Sequence, residues 1–85
     1  MAVVLLPSLL AAEAGGRKRF ELDVETVGEA LRSLPVASLL LDEEGELRRL
    51  VNVYVDGQDV RGGEGLDTRL QPAATVRVIG AIAGG

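Results

Sequence analysis

One short amphipathic helix stands among runs of β-type residues, and this mixture constrains the fold more than any other feature of the chain. Residues 26–29 read Thr-Val-Gly-Glu, the pattern of a capping box in which the Thr26 side chain caps the helix and Glu29 reaches back to the backbone N–H of the cap residue. Apolar residues then recur at helical spacing until Pro35, which cannot continue a helix. These apolar positions are Val27, Ala30, Leu31 and Leu34. One helix cannot lie between two sheets, so it is predicted to cover one face of a single sheet.

Four other runs have the composition and the alternation of β-strands. They are residues 3–6, 17–24, 51–55 and 75–79. Gly15-Gly16 predicts a turn that joins the first two strands as an antiparallel hairpin, and Asp56-Gly57 predicts a hairpin turn after the third strand. Residues 36–50 are interpreted as a surface loop pinned by its leucines. Residues 62–65 are interpreted as a loop, and residues 66–70 as a single helical turn.

The order of these elements predicts an α+β fold, a mixed sheet with one main helix packed on one face. The helix leads from the hairpin to a later strand of the same sheet, so the crossover is expected to be right-handed. This is the ubiquitin-like β-grasp arrangement. Residues 1–80 are predicted to form this domain. Residues 81–85 are predicted to form a flexible tail, because their composition has no pattern that would keep them folded.

The sheet face that points away from the helix is predicted to be a docking surface for partner proteins. Period-two alternation turns the valines of the last two long strands toward the helix. The residues that alternate with these valines and are expected on the docking surface are Tyr54, Arg77 and Ile79. The alternative is that Tyr54 only covers the sheet, since tyrosine is as common in half-buried strands as it is at interfaces.

Composition excludes several classes of function. Eighty-five residues make one domain, too small for a multi-domain enzyme. A net charge of −4 argues against a nucleic-acid partner, because phosphate neutralisation needs clustered lysines and arginines. With no Cys and no His, the chain has no thiolate nucleophile, no disulfide and no usual zinc site. Any sulfur or proton chemistry must therefore come from a partner.

The apolar N-terminal run is not interpreted as a signal peptide, because it has no basic segment before it and Pro7 interrupts it. It is also too short to span a bilayer. The sequence therefore predicts a cytoplasmic protein that does not bind membranes.

The side chains offer no convincing active site. The glycines of residues 62–65 lack the spacing of a phosphate-binding loop, and the acidic residues 42–46 lack the pattern of a calcium-binding loop. What remains is the end of the chain, Ala81-Ile82-Ala83-Gly84-Gly85. Five extended residues reach roughly 17 Å, and residues without bulky side chains fit a narrow groove. Such a segment can place the Gly85 carboxylate deep in the active site of another protein.

These features resemble a known family. A β-grasp order that ends in Gly-Gly, with Val51-Asn-Val-Tyr-Val-Asp-Gly-Gln-Asp-Val-Arg61 before the last strand, is similar to the bacterial ThiS/MoaD sulfur carriers. The resemblance covers essentially the whole chain. It is greatest to the branch that supplies sulfur for cysteine biosynthesis, from Pro7-Ser8-Leu9-Leu10 to the end. The molybdopterin branch commonly has a proline before the tail, where this chain has Gly80 and Ala81.

The resemblance implies a cycle that partner enzymes run. An E1-like enzyme adenylates the carboxylate of Gly85 with Mg-ATP, and sulfur then displaces AMP to leave a thiocarboxylate. A sulfur-acceptor enzyme, such as a cysteine-synthase-like enzyme, takes up that sulfur. The carrier itself binds no cofactor and is not an enzyme. The resemblance assigns Gly84 and Gly85 to the reacting end, and Ala81, Ile82 and Ala83 to the segment that enters the partner's groove.

Three other functions remain open at this point. A ubiquitin-like protein modifier would use the same tail and the same activation, with lysine amines as acceptors. A small subunit of molybdopterin synthase would differ in its acceptor enzyme. A non-covalent β-grasp interaction module would not use its terminus at all.

Overall fold

The computed structural model of the protein describes residues 1–80, which form one five-stranded sheet and three short helices. The strands are β1 (Ala2–Leu5), β2 (Arg19–Leu22), β3 (Val51–Val55), β4 (Gln58–Asp59) and β5 (Thr75–Gly80). The helices are α1 (Ser8–Glu13), α2 (Val27–Arg32) and α3 (Ala37–Leu40), and two 3-10 turns span Val60–Gly62 and Gly65–Asp67. None of the helices within residues 1–80 has the length and apolar character needed to cross a membrane.

The sheet is mixed, with the strand order β2-β1-β5-β3-β4. The central strands β1 and β5 are parallel, and Val4 of β1 lies opposite Val76 of β5. All other strand pairs are antiparallel. The predicted α+β architecture is confirmed, since the first two strands pair as expected and β5 joins both halves of the chain in one sheet.

The core lies between one face of the sheet and the helices. The valines of β3 and β5 alternate as predicted: Val53, Val76 and Val78 are buried toward the helical side. The four apolar positions of the predicted helix are also buried in this core. The helical spacing therefore identified the packing face of α2 correctly.

The N-terminus of α2 differs from the predicted capping box in one hydrogen bond. Thr26 Oγ1 accepts the backbone N–H of Glu29 at 3.2 Å, as predicted. The Glu29 carboxylate, however, accepts the N–H of Glu25 at 2.7 Å, one residue before the cap. The extended backbone of Thr26 brings that earlier N–H within reach of the carboxylate. Both hydrogen bonds satisfy backbone N–H groups near the start of α2, so they stabilise the helix as a capping box does.

The local structure departs from the predictions in three places. The turn at Gly15-Gly16 and the antiparallel pairing of the first two strands are confirmed, but α1 lies between β1 and this turn; both glycines have positive φ and follow the end of that helix. The region 36–50 is not only a loop, since it contains α3. The expected helical turn at 66–70 is a 3-10 turn that begins earlier, at Gly65. Burial of apolar side chains accompanies the two helices that were not predicted: Leu10 of α1 and Leu40 of α3 are both buried.

Candidate docking face and the root of the C-terminal segment

The sheet face away from the helices carries the three side chains that sequence alternation placed there. Tyr54 of β3 lies opposite Arg77 of β5, and Ile79 is the next residue of β5 on the same face. Tyr54 is half-buried, whereas Arg77 is exposed and Ile79 is 42% exposed. The structure thus brings Tyr54, Arg77 and Ile79 together on one open surface. Their part in docking stays a prediction.

Residues of β1 extend this face, and sequence reasoning missed them. Leu5 lies opposite Arg77 on the parallel side of β5, and Val3 lies opposite Thr75. Both side chains are partly exposed. Alternation within β1 indicates two faces, but only the pairing with β5 shows which of them is shared with Tyr54. We call the surface formed by Val3, Leu5, Tyr54, Arg77 and Ile79 the open face.

A tight hairpin borders the open face. Asp56 and Gly57 both have positive φ, 48° and 90°, as a two-residue turn of the favoured hairpin type requires. Asp56 also fastens the turn to β5, because its Oδ1 accepts the N–H of Thr75 at 3.0 Å and its own N–H donates to the Thr75 carbonyl at 2.9 Å. A shallow depression lies here between Tyr54, Gly57 and Ile79. The turn therefore holds the border of the face in a defined position.

The last described residue, Gly80, is paired with Val51 at the start of β3. Cα atoms opposite each other in an antiparallel pair are about 4.5–5.5 Å apart, so the described part of the chain ends beside Val51. We call the Val51–Gly80 pair the root. The predicted site residues Ala81, Ile82, Ala83, Gly84 and Gly85 lie outside the described residues.

Arg61 braces the root. Strand β4 pairs only with Tyr54 and Val55, so it does not extend along the start of β3. Arg61 Nη1 donates instead to the Val51 carbonyl at 2.6 Å and to Asn52 Oδ1 at 2.9 Å. Its Nη2 donates to the Arg48 carbonyl at 2.6 Å. A planar guanidinium can serve several acceptors at once, and this one fixes the strand end from which the C-terminal segment departs.

Residues 1–80 contain no arrangement of side chains typical of a catalytic site. No charged or polar residue among them is buried, and no group of His, Cys, Asp or Glu within that range is placed to hold a metal ion. What this part of the chain offers is the open face and a last strand that ends at the root.

Comparisons with known proteins agree with this organisation. The model of the ThiS family matches residues 4–85. The sulfur carrier protein CysO of Mycobacterium tuberculosis is 33% identical over an 89-residue alignment that covers 96% of this chain and 96% of that protein.

Two solved structures show the same fold. CysO in the crystal structure of the Amycolatopsis orientalis BexX/CysO complex has a TM-score of 0.84, with 31% identity and full coverage of both chains. The small archaeal modifier protein 1 of Methanosarcina acetivorans has a TM-score of 0.82, with 26% identity, covering 99% of this chain and 95% of that one. The chain therefore belongs to the ThiS family of ubiquitin-like β-grasp sulfur carriers.

Proposed function

We propose that this chain carries sulfur as a thiocarboxylate on Gly85 and is the protein co-substrate of enzymes that load and unload it. The observation that carries the proposal is the extent of the family match, which runs to Gly85, the last residue of the sequence. It is supported by the absence of a catalytic arrangement among residues 1–80.

The chemistry needs two steps on that carboxylate. An oxygen of the Gly85 carboxylate attacks the α-phosphorus of Mg-ATP on an E1-like activating enzyme, and pyrophosphate leaves. Hydrosulfide then attacks the acyl carbon, the bond to the AMP oxygen breaks, and the thiocarboxylate, AMP and a proton are released. Adenylation is needed because a carboxylate is a poor electrophile, whereas AMP is a good leaving group. We propose that this cycle runs in the cytoplasm, where ATP is available.

The acceptor that we propose is a biosynthetic enzyme of the cysteine-synthase type. The similarity to CysO supports this choice, together with the resemblance of the whole chain to the branch that supplies sulfur for cysteine. A molybdopterin synthase large subunit is the alternative acceptor. In either case the thiocarboxylate sulfur is a soft nucleophile, which attacks an electrophilic carbon held by the acceptor enzyme.

A mass measurement tests the loading step. Incubating the chain with its cognate E1-like enzyme, Mg-ATP and a sulfide source is expected to raise the intact mass by about 16 Da, because one carboxylate oxygen is exchanged for sulfur. Fragmentation is expected to locate the gain at Gly85. Omitting ATP is the control and leaves the mass unchanged. A gain located on a side chain would refute the proposal.

A second candidate, protein modification, is supported by the likeness to the small archaeal modifier protein. The activation is the same in this case, but a lysine amine attacks the acyl carbon and forms an isopeptide bond. Peptides from cell extract that carry Gly85 linked to a lysine Nε would establish it. Their absence, in cells where the thiocarboxylate is detected, would leave the carrier function alone.

We propose that the open face docks on both the activating and the acceptor enzyme and that Tyr54 is its main anchor. Replacing Tyr54 with alanine is expected to weaken binding by about 2 kcal/mol or more, since central aromatic residues often dominate interfaces. The free energy of unfolding is expected to change by less, because Tyr54 is only half-buried. Tyr54→Phe keeps the ring and is the matched control. If Tyr54→Ala lowers stability without lowering affinity, the residue serves the fold and the docking surface lies elsewhere.

A further inference from the structure

A second exposed apolar patch lies next to the root and apart from the residues that define the open face. Leu39 and Leu50 are 41% and 55% exposed, among the largest values for apolar side chains in residues 1–80. They line one groove together with Arg48, Arg49 and Val51, and Asp42 forms part of its wall. We call this groove the rim. A compact domain gains nothing for its own stability by leaving two leucines exposed, so an exposed pair of this kind indicates a contact surface.

The rim has a defined shape before any partner binds. Its backbone turns at Arg48, whose N–H donates to the Leu40 carbonyl at 2.9 Å and whose carbonyl accepts the N–H of Val51 at 3.1 Å. Arg61 donates to the same carbonyl from the other side. A preformed surface avoids part of the ordering cost of association. The rim is therefore suited to binding a partner without rearrangement.

The side chain of Arg49 in the rim is available to a partner. Arg48 Nε already donates to the Ser38 carbonyl at 3.2 Å, and Asp42 Oδ1 already accepts the N–H groups of Glu44 and Glu46 at 2.9 Å each. The Arg49 guanidinium makes no ion pair and no side-chain hydrogen bond with residues 1–80. An exposed cation beside two exposed leucines fits a partner surface that combines an apolar side chain with a carboxylate.

The position of the rim indicates which partner it meets. Val51 is both part of the rim and the partner of Gly80 at the root. Residues 81–85 follow directly and reach at most roughly 17 Å when extended. An enzyme that receives this segment in a groove must bring the mouth of the groove up to Gly80, and hence up to Val51 and Leu50. The rim is thus in contact with any enzyme that acts on Gly85 at full reach.

We propose that the rim docks against the mouth of the activating enzyme's groove, where an apolar side chain of the enzyme inserts between Leu39 and Leu50 and a carboxylate faces Arg49. The proposal rests on the proposed function, because it names the surface that accompanies entry of the C-terminal segment. It adds a second contact region to the open face. This second contact fixes the orientation of the domain at the root, so that the C-terminal segment points into the enzyme's groove.

The test is direct binding of full-length variants to the cognate activating enzyme without ATP, so that the result does not depend on sulfur transfer. Leu50→Ser and Arg49→Glu are each expected to raise Kd by at least about tenfold. The matched control is Arg69→Glu, which makes the same change of charge at an exposed arginine whose ion-pair partner, Glu25, is 3.7 Å away. It is expected to change Kd less than about twofold.

Three outcomes would overturn the proposal. Folded Leu50→Ser and Arg49→Glu chains that bind like the unchanged chain would show that the rim is not in the interface. If Arg69→Glu lowers the affinity for the activating enzyme as much as Arg49→Glu does, the effect of Arg49→Glu is due to the change in net charge and not to a contact at the rim. A concentration-dependent dimer of the unchanged chain that Leu50→Ser abolishes, with binding to the enzyme intact, would assign the rim to a second copy of the chain. Failure of the mass gain at Gly85 would refute the proposed function without altering these binding results.

Discussion

Replacing Gly85 with alanine is expected to lower the rate of activation by about 100-fold or more while leaving the free energy of unfolding unchanged. The added methyl group lies next to the reacting carbonyl, where a displacement of about 1 Å from the in-line geometry costs on the order of 100-fold in rate. Residue 85 follows the domain formed by residues 1–80, so no folding interaction described in the structure depends on it. The measurement is the initial rate of pyrophosphate release by the activating enzyme, beside denaturant unfolding of the same variant.

Gly62→Ala is the matched control, since it adds the same methyl group where a Cβ meets no atom within 4 Å and the backbone φ is not positive. It is expected to leave both the rate and the stability unchanged. Deleting Gly84 and Gly85 is expected to abolish activation altogether. Normal activation of Gly85→Ala, with alanine confirmed at the terminus, would contradict the entry of this segment into a narrow groove. A cellular function that survives the deletion would identify the chain as a non-covalent interaction module.

The second large effect is expected in the core. Leu40→Ala should lower the free energy of unfolding by about 2–5 kcal/mol, because a fully buried leucine leaves a cavity that the surroundings fill only in part. A domain of this size has a stability of roughly 5–10 kcal/mol, so the loss is a large fraction of the total. Urea unfolding measures it as a lower midpoint with an unchanged m-value.

Leu39→Ala makes the same chemical change one residue earlier and serves as the control. Its side chain is 41% exposed, and the expected loss is no more than about 0.5 kcal/mol. Equal losses in the two variants would mean that α3 presents a different face to the core. Small losses in both would mean that α3 contributes little to the folded state.

Local sequence patterns were sufficient to predict the elements that depend on residues close together in the chain. The capping residue Thr26, the helical spacing after it and Pro35 located α2, and Asp56-Gly57 located the turn between β3 and β4. The alternation of β3 and β5 also predicted which side chains face the core. These signals are local because they depend on backbone hydrogen bonds and on side-chain periods within a few residues.

Elements ordered by distant contacts were not predictable in the same way. The run Leu39-Leu40-Leu41 has no period that separates its members, and only packing against the core buries Leu40 while leaving Leu39 exposed. Helix α1 has six residues and no side-chain cap, so its sequence alone does not indicate a helix. Short helices of this kind are marginal by themselves and depend on the surface against which they pack.

The candidate site likewise has a part that could be predicted from the sequence and a part that only the tertiary structure shows. The sequence alone predicted a sulfur carrier from its resemblance to the ThiS/MoaD family, and the comparisons confirm that role. That Gly85 is the reacting residue stays a proposal. The tertiary structure alone decided that Leu5 joins Arg77 on the open face and that the rim, which holds Leu50, includes Val51, the residue paired with Gly80. The physical reason is that terminal chemistry is a property of covalent structure. A docking surface, in contrast, is made by strands that are distant in sequence and adjacent only after the sheet has formed.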